Sequence, residues 1–178
     1  MHFHSAIIEL FRPFIVEIPP SAAASVPRFV SEGYWSSYHQ LRWIVYHYAT
    51  TYGGPPVSVY LLSSLLSLMY AAIPDMENLQ SRFFFSLTIK FLGNLVYQFP
   101  VARYILQGTY QSAKETGLSM PKEAMDIFEG LDGTLNKVEN IDEIESSLPV
   151  DLNRSIKDPE GAKLSNLIKR TEGLMIDD

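Results

Sequence analysis

The sequence predicts an all-α protein, with an irregular domain of about six helices followed by an acidic tail. Apolar residues recur at intervals of three and four along the first 130 residues, which is the period of an amphipathic helix. Proline and glycine pairs divide these runs into helix-length segments, and no segment alternates polar and apolar residues over a useful length as a strand does. The composition also changes once, because every Phe, Trp, Tyr and His lies before residue 129.

The composition limits the classes of function. A chain of 178 residues that is 47% hydrophobic can form one domain with a buried core. A net charge of −6 disfavours direct contact with a nucleic-acid backbone, which needs clustered Lys and Arg. There is no cysteine, which excludes disulfides, cysteine nucleophiles and Cys-ligated zinc or iron–sulfur clusters. No nucleophile elbow, phosphate-binding loop or converging set of polar groups is visible, so the chain is not predicted to be an enzyme or to hold a metal or cofactor.

The first two helices are predicted from their apolar spacing. Helix one runs from Phe3 to about Phe14, because Pro13 limits an undistorted helix. Its predicted apolar face consists of Ile7, Ile8, Phe11, Phe14 and Ile15. Helix two lies in SEGYWSSYHQLRWIVYHYATTYGG and ends at Gly53, as helices commonly do at glycine. Its predicted apolar stripe consists of Tyr34, Tyr38, Leu41, Val45 and Tyr48.

The remaining helices are separated by prolines. They are predicted in VSVYLLSSLLSLMYAAI, from Glu77 to about Tyr97, in VARYILQGTYQSAKETG and in PKEAMDIFEG. The third helix has two interpretations, because no charged side chain lies between His47 and Asp75. It is shorter than the roughly 20 residues of a typical membrane span, carries four serines and lacks basic flanks. We therefore expect a buried core helix, with a membrane span as the alternative.

The four histidines are not predicted to bind a metal. His2 and His4 point to different sides of a helix, so we expect exposed terminal side chains. His39 and His47 are two helical turns apart, too far to bind one ion, and are expected at the edge of the core.

The segment HFHSAIIELFRPF resembles the signature helix of the regulatory (middle homology) domain of fungal binuclear zinc cluster transcription factors. The signature positions are His4, Arg12, Pro13 and Phe14, together with His2. The segment YHQLRWIVYHYATTYGGPPVSVYLLSSLLSLMYAAI is similar to a helix pair that follows in this family. The segment FFFSLTIKFLGNLVYQFPVARYILQGTYQSAKETGLSMPKEAMDIFEGL resembles the terminal unit of the domain. The resemblance covers about residues 2 to 131 and is greatest to nitrate-regulator-like members.

The resemblance implies that residues 1–130 are the C-terminal part of a regulatory domain. The six-cysteine cluster with two zinc ions, which reads DNA in this family, is absent from these 178 residues, and so is the first half of the regulatory domain. We therefore expect no cofactor in this chain, no direct nucleic-acid contact and no membrane association. The implied function is effector-responsive control of RNA polymerase II transcription in the nucleus. The implied partners are the transcription machinery or regulatory proteins, and an unidentified small-molecule effector.

If helices are missing, apolar surfaces that they would cover should be exposed. We expect such surfaces at Ile7, Ile8, Phe11 and Phe14 in helix one, and along Val57 to Ile73.

The tail, residues 131–178, is predicted to be mostly disordered because it is rich in Asp, Glu, Asn, Ser and Lys. Apolar residues are interleaved with its acids at Leu131, Leu135, Val138, Ile141, Ile144 and Leu148. This pattern fits an acidic activation segment that folds on binding, whereas the absence of aromatic residues favours a disordered tail with no such role. For the whole chain, the alternative function is a stand-alone helical protein that binds a small apolar ligand or associates with a membrane.

Overall fold

A computed structural model describes residues 1–16, 26–52, 61–99, 101–115, 117–132, 158–163 and 166 of the chain. These residues form six α-helices and no strand, so the predicted all-α class is confirmed. The helices are α1 (His2–Val16), α2 (Arg28–Tyr52), α3 (Leu62–Ala72), α4 (Leu79–Leu95), α5 (Val101–Glu115) and α6 (Lys122–Asp132). A short 3-10 turn, Ile73–Asp75, follows α3.

The chain divides into two compact units, Met1–Phe91 and Leu92–Asp178. The first unit contains α1, α2, α3 and most of α4, and the second contains the end of α4 with α5 and α6. The predicted boundary between residues 130 and 131 stays a prediction, because most of the predicted tail lies outside the described residues.

Local hydrogen bonds explain where the helices begin. The carbonyl of Pro27 accepts the Val30 N–H at 2.9 Å, so α2 begins immediately after a proline. Helix α4 begins at Leu79, two residues later than predicted, because Asn78 is its N-cap: Asn78 Oδ1 accepts the backbone N–H of Gln80 at 2.8 Å. The predicted start of α3, at Val57, lies outside the described residues.

Glycine ends α5 in the second unit. Gly117 has a φ of 66°, a left-handed conformation that glycine adopts without strain. The Leu118 N–H donates to the Ala113 carbonyl at 2.9 Å and the Gly117 N–H to the Lys114 carbonyl at 3.2 Å. These two bonds form a Schellman motif, which satisfies carbonyls that the helix end would leave unpaired.

The core of the first unit forms where α1 packs against α2 and α3. The buried stripe of α2 contains Tyr34, Tyr38, Leu41 and Val45, as the spacing predicted, whereas Tyr48, the fifth predicted residue, is half-buried. In α3 every side chain except Ser63 is buried, which agrees with a central core helix that is apolar on all sides. None of the described helices combines the length and apolarity that a transmembrane span requires.

The predicted apolar face of α1 is only partly buried. The buried residues of α1 are Ser5, Ile8 and Arg12, and of these only Ile8 belongs to the predicted face. Phe14, which does belong to it, is 51% exposed. The reason is that Ser5 and Arg12 face polar partners on α3, which turns Phe14 outward. The expectation of exposed apolar surface is therefore wrong for Ile8 and for the described apolar residues of α3, and it is confirmed for Phe14, whereas Ile7 and Phe11 are half-buried.

Helix α1 also lies very close to α2. A Cβ atom at Gly33 would lie 2.7 Å from Cε2 of Phe11, so the glycine leaves space for this ring. Phe11 also contacts Phe29 edge to face, with ring centres 6.3 Å apart.

The second unit has a smaller described core. The rings of Tyr110 on α5 and Phe128 on α6 lie 5.2 Å apart, and Arg103 Nη2 donates to the Leu131 carbonyl at 3.0 Å. A Cβ atom at Gly93 would lie 3.1 Å from Cγ2 of Ile127, which explains a small residue where the end of α4 meets α6.

Candidate ligand-binding groove

A groove of about 470 Å³ lies between α2 and the first two turns of α4, within the first unit. Its volume is in the range of small-molecule sites, roughly 300 to 1,000 Å³. Most of the surface that lines it is apolar, and the residues that define its chemistry are Arg42, Trp43, Tyr46, Gln80, Phe83 and Phe84.

The helical spacing of these residues builds the groove. On α2, Arg42 and Tyr46 are four positions apart and so share one face of the helix. On α4, Gln80, Phe83 and Phe84 are three and four positions apart and form the opposing wall. Two regular helix faces therefore bring an arginine, an amide and several aromatic rings together.

Arg42 is the charged group of the groove, and it is only 7% exposed. Its guanidinium carbon lies 4.2 Å from the ring centre of Phe84 and 5.1 Å from that of Tyr38, both within cation–π distance. Its Nη2 donates to Gln80 Oε1 at 3.0 Å. No carboxylate among the described residues forms an ion pair with Arg42; Asp75 instead accepts a hydrogen bond from the Ser81 hydroxyl at 3.0 Å.

The outer wall of the groove is aromatic and open to solvent. Trp43 is 67% exposed, and Tyr46 and Phe83 are also exposed. The ring centres of Trp43 and Tyr46 lie 6.0 Å apart, and those of Tyr46 and Phe83 lie 6.1 Å apart, both in edge-to-face geometry. These rings offer a surface on which a planar apolar group can pack.

Tyr38 lies beneath the Arg42 guanidinium. Burial raises the pKa of Tyr38 above its ordinary value, and the positive charge of Arg42 offsets part of this effect. The phenol is therefore neutral at physiological pH. No described residue gives its hydroxyl a hydrogen bond of good geometry, although Ser81 and Arg42 lie close enough to lower its pKa.

A second groove, of about 390 Å³, lies between Met1 and α2 and shares Trp43. Its other described walls include Ile44, His47, Tyr48 and Tyr52, without a buried arginine or lysine. It can hold an apolar group, but its described walls lack the charge that distinguishes the first groove.

The signature residues of α1 lie apart from the groove lining. Arg12 is 1% exposed; its Nη2 donates to Glu9 Oε1 at 2.8 Å and its Nε to Glu9 Oε2 at 3.1 Å. Arg12 Nη2 also lies 3.3 Å from the Ser67 carbonyl of α3. Pro13 lies inside α1, so the proline does not end the helix. These contacts give Arg12 a structural role in joining α1 to α3.

His4, the other signature residue, is half-buried, so the prediction of an exposed side chain is wrong. Its ring contacts Phe3 edge to face, and its Nδ1 is buried without a hydrogen bond from any described residue. His2 is exposed as predicted. His39 and His47 are exposed, and the expected position at the core edge is wrong for both. In the described ranges, no three His, Asp or Glu side chains lie together as a metal site.

The candidate activation segment is described at one residue only. Leu131 lies in the last turn of α6, where its carbonyl accepts the bond from Arg103. The other positions, Leu135, Val138, Ile141, Ile144 and Leu148, lie outside the described residues.

The sequence reasoning missed Arg42, although a signal for it was available. Arg42 is the only Asp, Glu, Lys or Arg between Glu32 and Asp75. It also follows Tyr38 by four positions, which places it on the buried stripe of α2. A single cation on a buried stripe needs a compensating partner, and that requirement indicates a site.

The fold and the groove define an all-α protein with a candidate site for a small molecule. No protein-family model, curated protein or solved structure matches this chain.

Proposed function

We propose that this chain is the regulatory, effector-responsive portion of a fungal transcription factor of the binuclear zinc cluster class. In this proposal it acts in the nucleus and controls transcription by RNA polymerase II. It contacts the transcription machinery or regulatory proteins, while a DNA-binding element outside these 178 residues reads the target. The described parts of the segments that resemble the family are mostly helical, which agrees with the all-α fold that the resemblance implies and supports the proposal.

The observation that carries the proposal is the position of α1. The resemblance treats this helix as a structural signature, and here it contacts both α2 and α3 and buries Arg12 against α3. An arginine that is nearly inaccessible and bonded to Glu9 is a costly feature to place in a core. A helix that organises its unit in this way is consistent with the structural role that the resemblance gives to the signature, and this consistency supports the proposal.

The mechanism is a shift in conformational populations. An effector that binds one conformation more tightly favours that conformation, and the change alters which surfaces are exposed to partners. The groove between α2 and α4 is the candidate effector site, because it joins a buried charge to an open aromatic wall.

A tethered reporter assay in a fungal host tests this function. Residues 1–178 and residues 131–178 are fused separately to a heterologous DNA-binding domain. We expect the full chain to change reporter output relative to the DNA-binding domain alone. The tail fusion decides between an activation segment and a tail without that role. Unchanged output from both fusions, at matched protein levels in the nucleus, contradicts the regulatory proposal.

A second candidate function is a stand-alone helical protein that binds a small apolar ligand. The aromatic wall of the groove and the second groove beside Trp43 favour it. Native mass spectrometry of the purified chain distinguishes the two functions when read beside the reporter. A retained apolar ligand together with a silent reporter favours this candidate, whereas an active reporter favours regulation.

A further inference from the structure

We propose that the groove between α2 and α4 binds a small organic anion, in which a carboxylate is attached to a planar apolar body. The carboxylate pairs with the guanidinium of Arg42, and the apolar body packs on Trp43, Tyr46 and Phe83.

The first argument for an anionic ligand is the buried positive charge of Arg42. A buried cation is costly unless an opposite charge and hydrogen bonds compensate for the lost water. Cation–π contacts with Phe84 and Tyr38 and one hydrogen bond to Gln80 supply part of this compensation. Within the described residues no carboxylate supplies the rest. A ligand carboxylate would complete the site.

The nearby acids leave this position open. Asp75 and Glu77 precede α4 and are both exposed. Asp75 is engaged by Ser81, and neither acid forms an ion pair with Arg42 in the described structure. Leu79 and Gln80 belong to the first turn of α4, whose partial positive charge lies at the same wall. Arg42 and the start of α4 therefore both favour an anion at the floor of the groove. The charge of Asp75, which adds to the effect of burial in raising the pKa of Tyr38, acts in the opposite direction.

The walls determine the rest of the ligand. Trp43 and Phe83 are exposed rings on opposite helices, and Tyr46 contacts both. A planar aromatic body fits such walls better than a compact polar one, because it replaces water on apolar surfaces. A free inorganic phosphate would satisfy Arg42 but leave these rings uncovered, so the proposed ligand is an organic acid.

Binding of this ligand does not require that the chain regulates transcription. Only the further identification of the ligand as an effector rests on the proposed function. The two can fail separately, because binding is measured on the purified chain and regulation is measured by the reporter.

Isothermal titration calorimetry with two matched probes tests the proposal on the full 178-residue chain. The probes are 2-naphthoate and 2-naphthamide, which share the ring system but differ in charge. We expect 2-naphthoate to bind about tenfold more tightly than the amide, which is the usual contribution of a charge-assisted hydrogen bond. Arg42→Met should reduce the affinity for 2-naphthoate to that for the amide.

The control variant is Arg28→Met. It changes the net charge by the same amount on the same helix, but Arg28 is exposed and paired with Glu32. This variant should bind 2-naphthoate as the wild type does. Equal affinities of the wild type for the two probes, or loss of binding in Arg28→Met to the same degree as in Arg42→Met, would overturn the proposal.

A second variant tests the same site if Arg42→Met does not fold. Trp43 is mostly exposed, so Trp43→Leu should fold normally, which circular dichroism checks. It should weaken 2-naphthoate and 2-naphthamide by similar factors, because it removes part of the wall and leaves Arg42 in place. No detectable binding of 2-naphthoate to the wild type up to millimolar concentration, or wild-type affinity in Trp43→Leu, would also contradict the proposed site.

Discussion

Two arginines are buried in the first unit, and their surroundings differ. Arg12 lies between α1 and α3, where both oxygens of Glu9 accept its N–H groups. Arg42 lies between aromatic rings at the floor of a groove, with Gln80 as its hydrogen-bond partner and no described ion pair to a carboxylate. A buried cation with an internal anion is complete as a structural contact. A buried cation without one is suited to receive an anion from outside.

The largest expected effect on stability comes from removing the carboxylate that pairs with Arg12, so that Arg12, like Arg42, lacks this ion pair. Glu9→Ala leaves the guanidinium of Arg12 buried without its carboxylate, and the free energy of unfolding should fall by about 3 kcal/mol. Glu32→Ala is the matched control, because Glu32 pairs with Arg28 in an exposed ion pair of the kind that contributes less than about 1 kcal/mol. Urea unfolding followed by circular dichroism measures both. Equal costs for the two variants would remove the distinction between Arg12 and an ordinary surface pair.

The second effect is a decrease in the free energy of unfolding at alkaline pH, which comes from Tyr34 near Arg12. Burial raises the pKa of Tyr34 to about 12, although the charge of Arg12 acts in the opposite direction. Because the folded-state pKa lies above the unfolded one, the neutral phenol stabilises the fold fully below pH 10. This contribution is lost as the pH rises from 10 through 12, and its size is about 2 to 3 kcal/mol.

Urea unfolding of the wild type and of Tyr34→Phe across pH 8 to 12 measures this contribution. Tyr34→Phe should lose much of the alkaline decrease in stability, with the remainder carrying the same sign from Tyr38, whose pKa burial also raises. A wild type whose stability is constant through pH 12 would mean that Tyr34 is not buried as described.

The third effect concerns the polar contact between α1 and α3. The hydroxyls of Ser5 and Ser64 lie 2.8 Å apart and both residues are buried. Ser5→Ala leaves the Ser64 hydroxyl without this partner and should cost about 1 to 2 kcal/mol. The double variant Ser5→Ala and Ser64→Ala should recover part of the loss, because neither hydroxyl is then left unpaired. Simply additive costs in the double-mutant cycle would show that the two hydroxyls do not interact.

The sequence predicted the helices better than it predicted what they bury. Helix α2 is described up to Tyr52, and its buried stripe follows the predicted spacing of three and four positions, which is local information. The start of α4 was misplaced by two residues because Asn78 was not recognised as its N-cap. Phe14 was assigned to the apolar face of α1 together with Ile8, but Arg12 lies on the buried side of the helix with Ile8, because its partners, Glu9 and the Ser67 carbonyl, lie there. One of these partners is 55 positions away in sequence, beyond any local pattern.

The groove was less predictable for the same reason. Arg42 and Gln80 are separated by 38 positions, and their contact depends on how α2 and α4 pack. The local part of the signal was the isolated charge of Arg42 on a buried stripe. The opposing aromatic wall of Phe83 and Phe84 also fits an ordinary core helix, so it gave no separate indication of a site.

The smallest expected effect on stability is at Arg42 itself. Arg42→Met removes cation–π contacts and one hydrogen bond, but it also removes the cost of burying a charge without a carboxylate. The free energy of unfolding should change by less than about 1 kcal/mol. A loss as large as that of Glu9→Ala would assign Arg42 the same structural role as Arg12.

The most direct test of the separate roles of the two arginines is the thermal unfolding midpoint, measured with and without saturating 2-naphthoate. A ligand that binds only the folded state raises this midpoint. We predict a clear increase for the wild type and for Arg28→Met, and a smaller increase for Arg42→Met, because this variant binds 2-naphthoate only as tightly as the amide. An equal increase for Arg42→Met would contradict the account, because the anion would then bind without the arginine that the groove provides for it.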